Sequence, residues 1–182
     1  MLLSSTDDTI YAINQFPILN RYAICTGFNL EPETASRIIT LIGELGAVDE
    51  AAEIPKEYLK GPFFQIKPLW KDLEYGYEEL LGEFLQNVEG GIKWSCYAGD
   101  ILSAVNQFPI LNRYAICKGF NLKSETVSRI MASFKELDAV EEVAEIPKEY
   151  LEGPFFQIKP LWKGLNYENI LTNLFRNIGE GE

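Results

Sequence analysis

The sequence predicts an α+β fold, mainly α, built as two tandem copies of one small domain. Three observations predict it. Residues Asn14 to Leu73 recur as Asn106 to Leu165 without a gap, with 14 differences over 60 positions, which marks a tandem duplication. Apolar residues in most of each copy fall at helical spacing. One short segment per copy, around Phe63 to Lys67, alternates as a strand does. The repeats divide at 1–91 and 92–182, where Gly90 and Gly91 suit a short linker. After Leu73 the copies rejoin with a two-residue slip, so that Tyr77 aligns with Tyr167.

Each element follows from local chemistry. A first helix runs from about Asp7 to Gln15 and is closed by Pro17. A second short helix covers Ile18 to Cys25, and Thr26-Gly27-Phe28-Asn29 supplies a glycine and an asparagine for a tight turn. A third helix runs from about Pro32 to Leu45, with Ala35, Ile38, Ile42 and Leu45 on one face. Its counterpart carries Val127, Ile130, Phe134 and Leu137, with Ser124 placed to cap it. Beyond Val48 the pattern becomes extended. Phe64 and Ile66 share one face of a strand, and Pro55 to Pro62 reads as the loop of a hairpin too long for a tight turn. A last amphipathic helix carries Tyr77, Leu80, Leu81, Phe84 and Val88, matched by Tyr167, Ile170, Leu171, Leu174 and Ile178. Trp70 and Trp162, each in Pro-Leu-Trp-Lys, are core plugs or cover an interface, and core is favoured.

The order helix, helix, turn, helix, strand, loop, strand, helix is that of a winged helix. The strings EPETASRIITLIGELGAV and KSETVSRIMASFKELDAV resemble the recognition helix and following strand of MarR- and ArsR-type winged-helix regulators, and FFQIKP is similar to their second wing strand. The resemblance implies two tandem winged-helix domains, each with three helices, a two-stranded wing and a C-terminal helix. Asp138 replaces Gly46 in the second copy and departs from the pattern at the helix end.

Composition narrows the function. There is no histidine, which removes His-dependent triads and the commonest zinc sites. Neither a phosphate-cradling glycine loop nor a Gly-x-Ser-x-Gly nucleophile motif occurs, so the expectation is a protein that is not an enzyme and carries no metal or cofactor. Cys25 and Cys117 occupy equivalent places in the string RYAIC and read as small buried hydrophobes, while Cys96 has no counterpart. No apolar stretch is long enough to span a bilayer and the N-terminal MLLSSTDD is unlike a secretory signal, so a soluble cytoplasmic protein is expected.

In a winged helix the third helix enters the major groove and the wing touches the backbone. Helical spacing puts Thr34, Ser36, Arg37 and Thr40 on the exposed face in the first copy, and Thr126, Ser128, Arg129 and Ser133 in the second. Hydroxyls suit phosphate or base contacts and arginine suits guanine. The competing reading makes the hydroxyls helix caps and the arginines members of surface ion pairs.

The net charge of −11 opposes generic affinity for a duplex. The deficit is uneven, with residues 1–92 at −9 and residues 93–182 at −2. Changes of Thr26 to Lys118, Glu31 to Lys123 and Gly43 to Lys135 add cations to the second copy, where Lys148 on the wing and Lys159 on the last strand could add phosphate contacts. Two partners are therefore expected as alternatives. One is double-stranded DNA, read by the second copy of a transcriptional regulator. The other is a protein bound by an acidic tandem adaptor, with an apolar patch around Leu41, or the target of an inhibitor that mimics DNA. Oligomerisation through the C-terminal helices is a further expectation.

Overall fold

The computed structural model describes residues 2–68, 91–162, 172 and 176. The chain is α+β and mainly helical, with six α-helices and four short strands among the described residues. In chain order these are α1 (Leu2–Gln15), α2 (Arg21–Gly27), α3 (Pro32–Glu44), β1 (Val48–Ala51), the 3-10 turn η1 (Lys56–Leu59) and β2 (Phe63–Ile66). The second repeat supplies α4 (Gly91–Gln107), α5 (Arg113–Phe120), α6 (Ser124–Glu136), β3 (Val140–Val143), η2 (Lys148–Leu151), β4 (Phe155–Ile158) and η3 (Pro160–Trp162). The expected last amphipathic helix of each copy, with any oligomer contact through it, lies outside the described residues, apart from the isolated Thr172 and Arg176. Trp70 lies outside them too.

The chain forms two compact units, and each draws on both repeats. Unit 1 comprises Met1–Ile54 and Lys148–Glu182, and unit 2 comprises Pro55–Pro147. The boundaries 1–91 and 92–182 thus mark the duplication in sequence, while the compact units join the helices of one repeat to the second strand of the other. The expected hairpin within each copy is not formed. β1 pairs antiparallel with β4, Val48 opposite Ile158 and Ala51 opposite Phe155, and β2 pairs with β3 in the equivalent register, Ile66 opposite Val140. The connector 52–55, Ala-Glu-Ile-Pro, carries β1 into η1 and not into a tight reversal. Pro55 to Pro62 is accordingly not a hairpin loop. It contains η1, which packs on α5.

Within unit 1, α1 packs on β4 and on α3. Ile10, Ile13, Phe16, Leu19, Ile24, Ile38 and Ile42 form the centre of the core. Thr9 is buried as well, and its hydroxyl donates to the Ser5 carbonyl one turn back at 2.7 Å. Unit 2 repeats the plan with Ile101, Leu102, Val105, Phe108, Ile116, Ile130 and Phe134, and α4 packs on β2. Both phenylalanines of each FFQI strand are buried, because the strand has a helix layer to cover and a neighbouring helix pair to fill. Burial of each such ring contributes about 1.5–3 kcal/mol. The Phe64 amide donates to the Leu111 carbonyl in unit 2, as the Phe156 amide does to Leu19 in unit 1.

The helix faces match the expected spacing, with Ala35, Ile38 and Ile42 buried on α3 and Val127, Ile130 and Phe134 buried on α6, where Met131 joins them. Leu45 and Leu137 are half-buried at the helix ends. α1 begins earlier than Asp7, and α2 begins at Arg21 because Asn20 caps it. Ser124 does not cap α6: Lys123 holds the cap position and makes no side-chain cap bond. At the turn after α2 the asparagine takes the left-handed conformation, with φ of 53° at both Asn29 and Asn121.

One side chain in each unit ties the helix pair to the segment from the other repeat. Asn20 is 4% exposed. Its Oδ1 accepts from the Ala23 amide at 2.8 Å, and its Nδ2 donates to the carbonyls of Glu149 at 2.8 Å and Glu152 at 2.7 Å. Asn112 does the same in unit 2, capping α5 through Ala115 and holding the carbonyls of Glu57 and Lys60. The following glycines fit tightly: a Cβ on Gly61 would meet the Ala144 carbonyl oxygen at 2.8 Å, and one on Gly153 would meet that of Ala52 at 2.9 Å.

Asp138 has φ of 59° where Gly46 has 76°, so the substitution keeps a left-handed position and places an aspartate in it. A side chain there is strained by about 1 kcal/mol. The Lys67–Asp138 ion pair, 3.1 Å with the aspartate side chain 75% exposed, offsets little of that. Asp138→Gly is expected to raise stability by about 0.5–1 kcal/mol in urea unfolding. For Asn112→Ala, one helix cap and two part-buried hydrogen bonds to carbonyls are lost, and a loss of about 3 kcal/mol is expected. Asn112→Asp keeps the cap acceptor and loses both donors, so most of that loss should persist in it.

Candidate nucleic-acid interface

In each unit a helix pair presents one side to solvent. In unit 2 the pair is α5 and α6, joined through Asn121, Leu122 and Lys123. The capped start of α5 exposes Arg113, and its last turn exposes Lys118, whose Nζ lies 5.6 Å from the centre of the Tyr114 ring. Lys123 and Ser124 stand exposed at the start of α6. Arg113, Tyr114, Cys117, Lys118, Asn121 and Ser124 line an open hollow of about 490 Å³. The equivalent groove in unit 1 is larger, about 970 Å³, and its lining includes Arg21, Tyr22, Thr26, Glu50, Glu149 and Glu152. The two hollows have opposite charge character because Lys118 stands where unit 1 has Thr26, and because Glu50, Glu149 and Glu152 line the hollow of unit 1.

Not every residue expected on the reading face is equally available. Arg37 and Arg129 are exposed, whereas Thr34, Ser36, Thr126, Ser128 and Ser133 are half-buried. Ser36 Oγ accepts from Arg21 at 3.1 Å, and Ser133 Oγ donates to the Arg129 carbonyl at 3.1 Å. The Arg129 guanidinium bonds Glu125 Oε1 at 3.3 Å, an exposed pair one helical turn apart, and Lys135 pairs with Glu142 of β3. The ion-pair reading of Arg129 thus describes its state in the isolated chain. Exposed pairs of this kind are worth well under about 1 kcal/mol and release readily.

Lys148 belongs to unit 1, whereas Lys118, Lys123, Arg129 and Lys135 belong to unit 2. Lys56 and Lys60 of the first repeat take that place in unit 2. Lys159, expected beside the same surface, is in unit 1 and pairs with Asp49 at 3.3 Å. Leu41, expected to head an apolar patch, is half-buried. Trp162 is half-buried at the end of η3, not a full core plug. Sequence reasoning missed Arg113. Its signal was Asn-Arg-Tyr, a capping residue followed at once by a cation on the first helical turn.

Charge follows the units. Across 55–68 and 91–147, unit 2 has 9 basic and 8 acidic side chains, whereas 2–54 and 148–162 of unit 1 have 4 and 10.

The thiols of Cys25 and Cys117 are half-buried, and burial raises both above the ordinary thiol range, more than the nearby Arg21 and Arg113 lower them. They are held as neutral thiols, in keeping with small apolar side chains. The side chain of Cys96 lies outside the described residues. Among the described residues no cluster of three or more His, Cys, Asp or Glu could hold a metal ion, and no helix is long and apolar enough to cross a membrane. Searches against protein-family models, curated proteins and solved structures found no match.

Two tyrosines lock the imported segments against the helix pairs. Tyr58 meets Tyr114 edge-on with centroids 4.9 Å apart, and Tyr150 meets Tyr22 at 4.8 Å. Tyr150 also shares a hydrogen bond with the Thr26 hydroxyl at 3.1 Å. Burial is the main cause that raises both phenols above their ordinary value of 10.0. A raised phenol favours the native state below the unfolded value, and that stability is lost as pH climbs through the folded one. Stability measured by denaturant unfolding should therefore fall above about pH 10, and Tyr58→Phe together with Tyr150→Phe should flatten the fall.

Proposed function

We propose that the protein is a non-enzymatic DNA-binding protein, a transcriptional regulator of the tandem winged-helix type, that reads duplex DNA through unit 2. One observation carries the reading: Arg113, Lys118, Lys123 and Arg129 stand exposed on a single helix pair in the unit whose described residues have slightly more cations than anions. The start of α6 enters the major groove, with Arg129, Thr126 and Ser128 toward base edges. Arg113, Lys118 and Lys123 contact phosphates, and Lys60, whose carbonyl is fixed at the start of α5 by Asn112, adds a further cation. Breaking the exposed Arg129–Glu125 pair to reach a guanine costs little beside a bidentate contact of about 1–3 kcal/mol.

A second reading is a protein-binding adaptor acting through unit 1. It is supported by the 10 acidic against 4 basic side chains of residues 2–54 and 148–162 and by the exposed Tyr11, Tyr22 and Leu151. Arg37, Thr34 and Ser36 of α3 would then serve a protein contact.

Selection from a random duplex pool, followed by anisotropy at two salt concentrations, tests the first reading. An enriched sequence is expected, with Arg129→Ala costing about 1–3 kcal/mol at one base position and Lys123→Ala weakening all sequences and lowering the salt slope by about one. Absence of enrichment at low salt would overturn the DNA reading and turn the search to proteins captured by unit 1.

A further inference from the structure

Each group of three helices with its following strand, α1–α3 with β1 or α4–α6 with β3, acts as an acceptor. Each Lys-Glu-Tyr-Leu to Phe-Phe-Gln-Ile segment acts as a cassette that fills an acceptor. Residues 56–71 and 148–163 differ at a single position, Lys60 against Glu152. The grip on the cassette is the same in both units: two carbonyls on an asparagine, a tyrosine edge against a tyrosine, a glycine against the carbonyl that follows the acceptor strand, and one strand register. Nothing in these contacts depends on where the cassette is joined to the chain. Each acceptor already takes its cassette from the distant repeat, through the connectors 52–55 and 144–147.

We propose that the partner this arrangement fits is a second copy of the chain, with the cassette η2–β4 of each copy filling the α1–β1 acceptor of the other in a reciprocal, two-fold exchanged dimer. The contacts made are those of the monomer, so the choice between the two is set by effective concentration when the acceptor closes. Folding in dilute solution gives the monomer, and folding among neighbouring chains gives the dimer. Once formed, either state persists, since passing from one to the other requires Phe155, Phe156 and Tyr150 to leave a buried site. The inference does not depend on the DNA reading.

Isotope-labelled and unlabelled full-length chains are unfolded together in denaturant and refolded at low concentration and at about a hundred-fold higher concentration. Size is read by light scattering and composition by native mass spectrometry. The dimer fraction is expected to rise with the refolding concentration, with labelled and unlabelled chains paired statistically, and mixing of already folded dimers should not redistribute the label. Asp49→Cys with Gln157→Cys, in a background of Cys25→Ser, Cys96→Ser and Cys117→Ser, reports which chain supplied the cassette, because residues 49 and 157 face each other in the sheet. The link should be intrachain in the monomer and interchain in the dimer. Monomer alone at both concentrations, dimers that swap label without unfolding, or dimers carrying only intrachain links would each overturn the proposal.

Discussion

The structure depends on one buried asparagine per unit. An asparagine side chain has an acceptor and two donor hydrogens, and Asn20 and Asn112 use all three at once, on a free amide in the first turn of a helix and on two carbonyls of a segment from the other repeat. The same group therefore sets where the helix starts and where the imported segment rests. The asparagines themselves are only 3–4% exposed, so their amides would be costly to bury without these partners. The aromatic pairs Tyr22–Tyr150 and Tyr58–Tyr114 then fill the space beside the clamp, and the following strands can enter only with their two phenylalanines pointing into the helix layers.

That constraint also explains what could be read from the sequence and what could not. Helix faces were legible because local spacing decides them: Ile38 and Ile42, or Ile130 and Phe134, have one buried side whatever the tertiary context. The start of α2 was misplaced by three residues because Asn20 was read as part of a helix, while its role as a cap is visible only from its position before Arg21. Strand pairing was not legible at all. With FFQI present twice, the pattern of β1 fits either copy equally well.

The placement of the charges followed from the same exchange. Lysines assigned by repeat fell into a different unit once the cassettes changed places, which put Lys148 in unit 1 and brought the Lys60 carbonyl to the start of α5. Arg129 and Lys123 were legible as exposed cations because helix α6 stays within its own repeat. The partners that neutralise part of this face, Glu125 and Glu142, were legible only in part: the first sits one turn away on the same helix, whereas the second requires knowing how β3 lies beside α6.

Duplication and exchange together let the two copies diverge in charge without diverging in fold. The contacts that hold a cassette are backbone carbonyls, aromatic edges and buried rings, none of which carries charge, so Thr26 could become Lys118 and Glu31 become Lys123 with the packing unchanged. Position 60/152 shows the same freedom from the cassette side, since the asparagine binds the carbonyl of that residue and leaves its side chain outside. Both side chains are exposed. The strongly acidic acceptor of unit 1 receives the glutamate, and the nearly neutral acceptor of unit 2 receives the lysine. The exchange therefore sharpens the contrast between the units, and it does so through a side chain that the other repeat supplies.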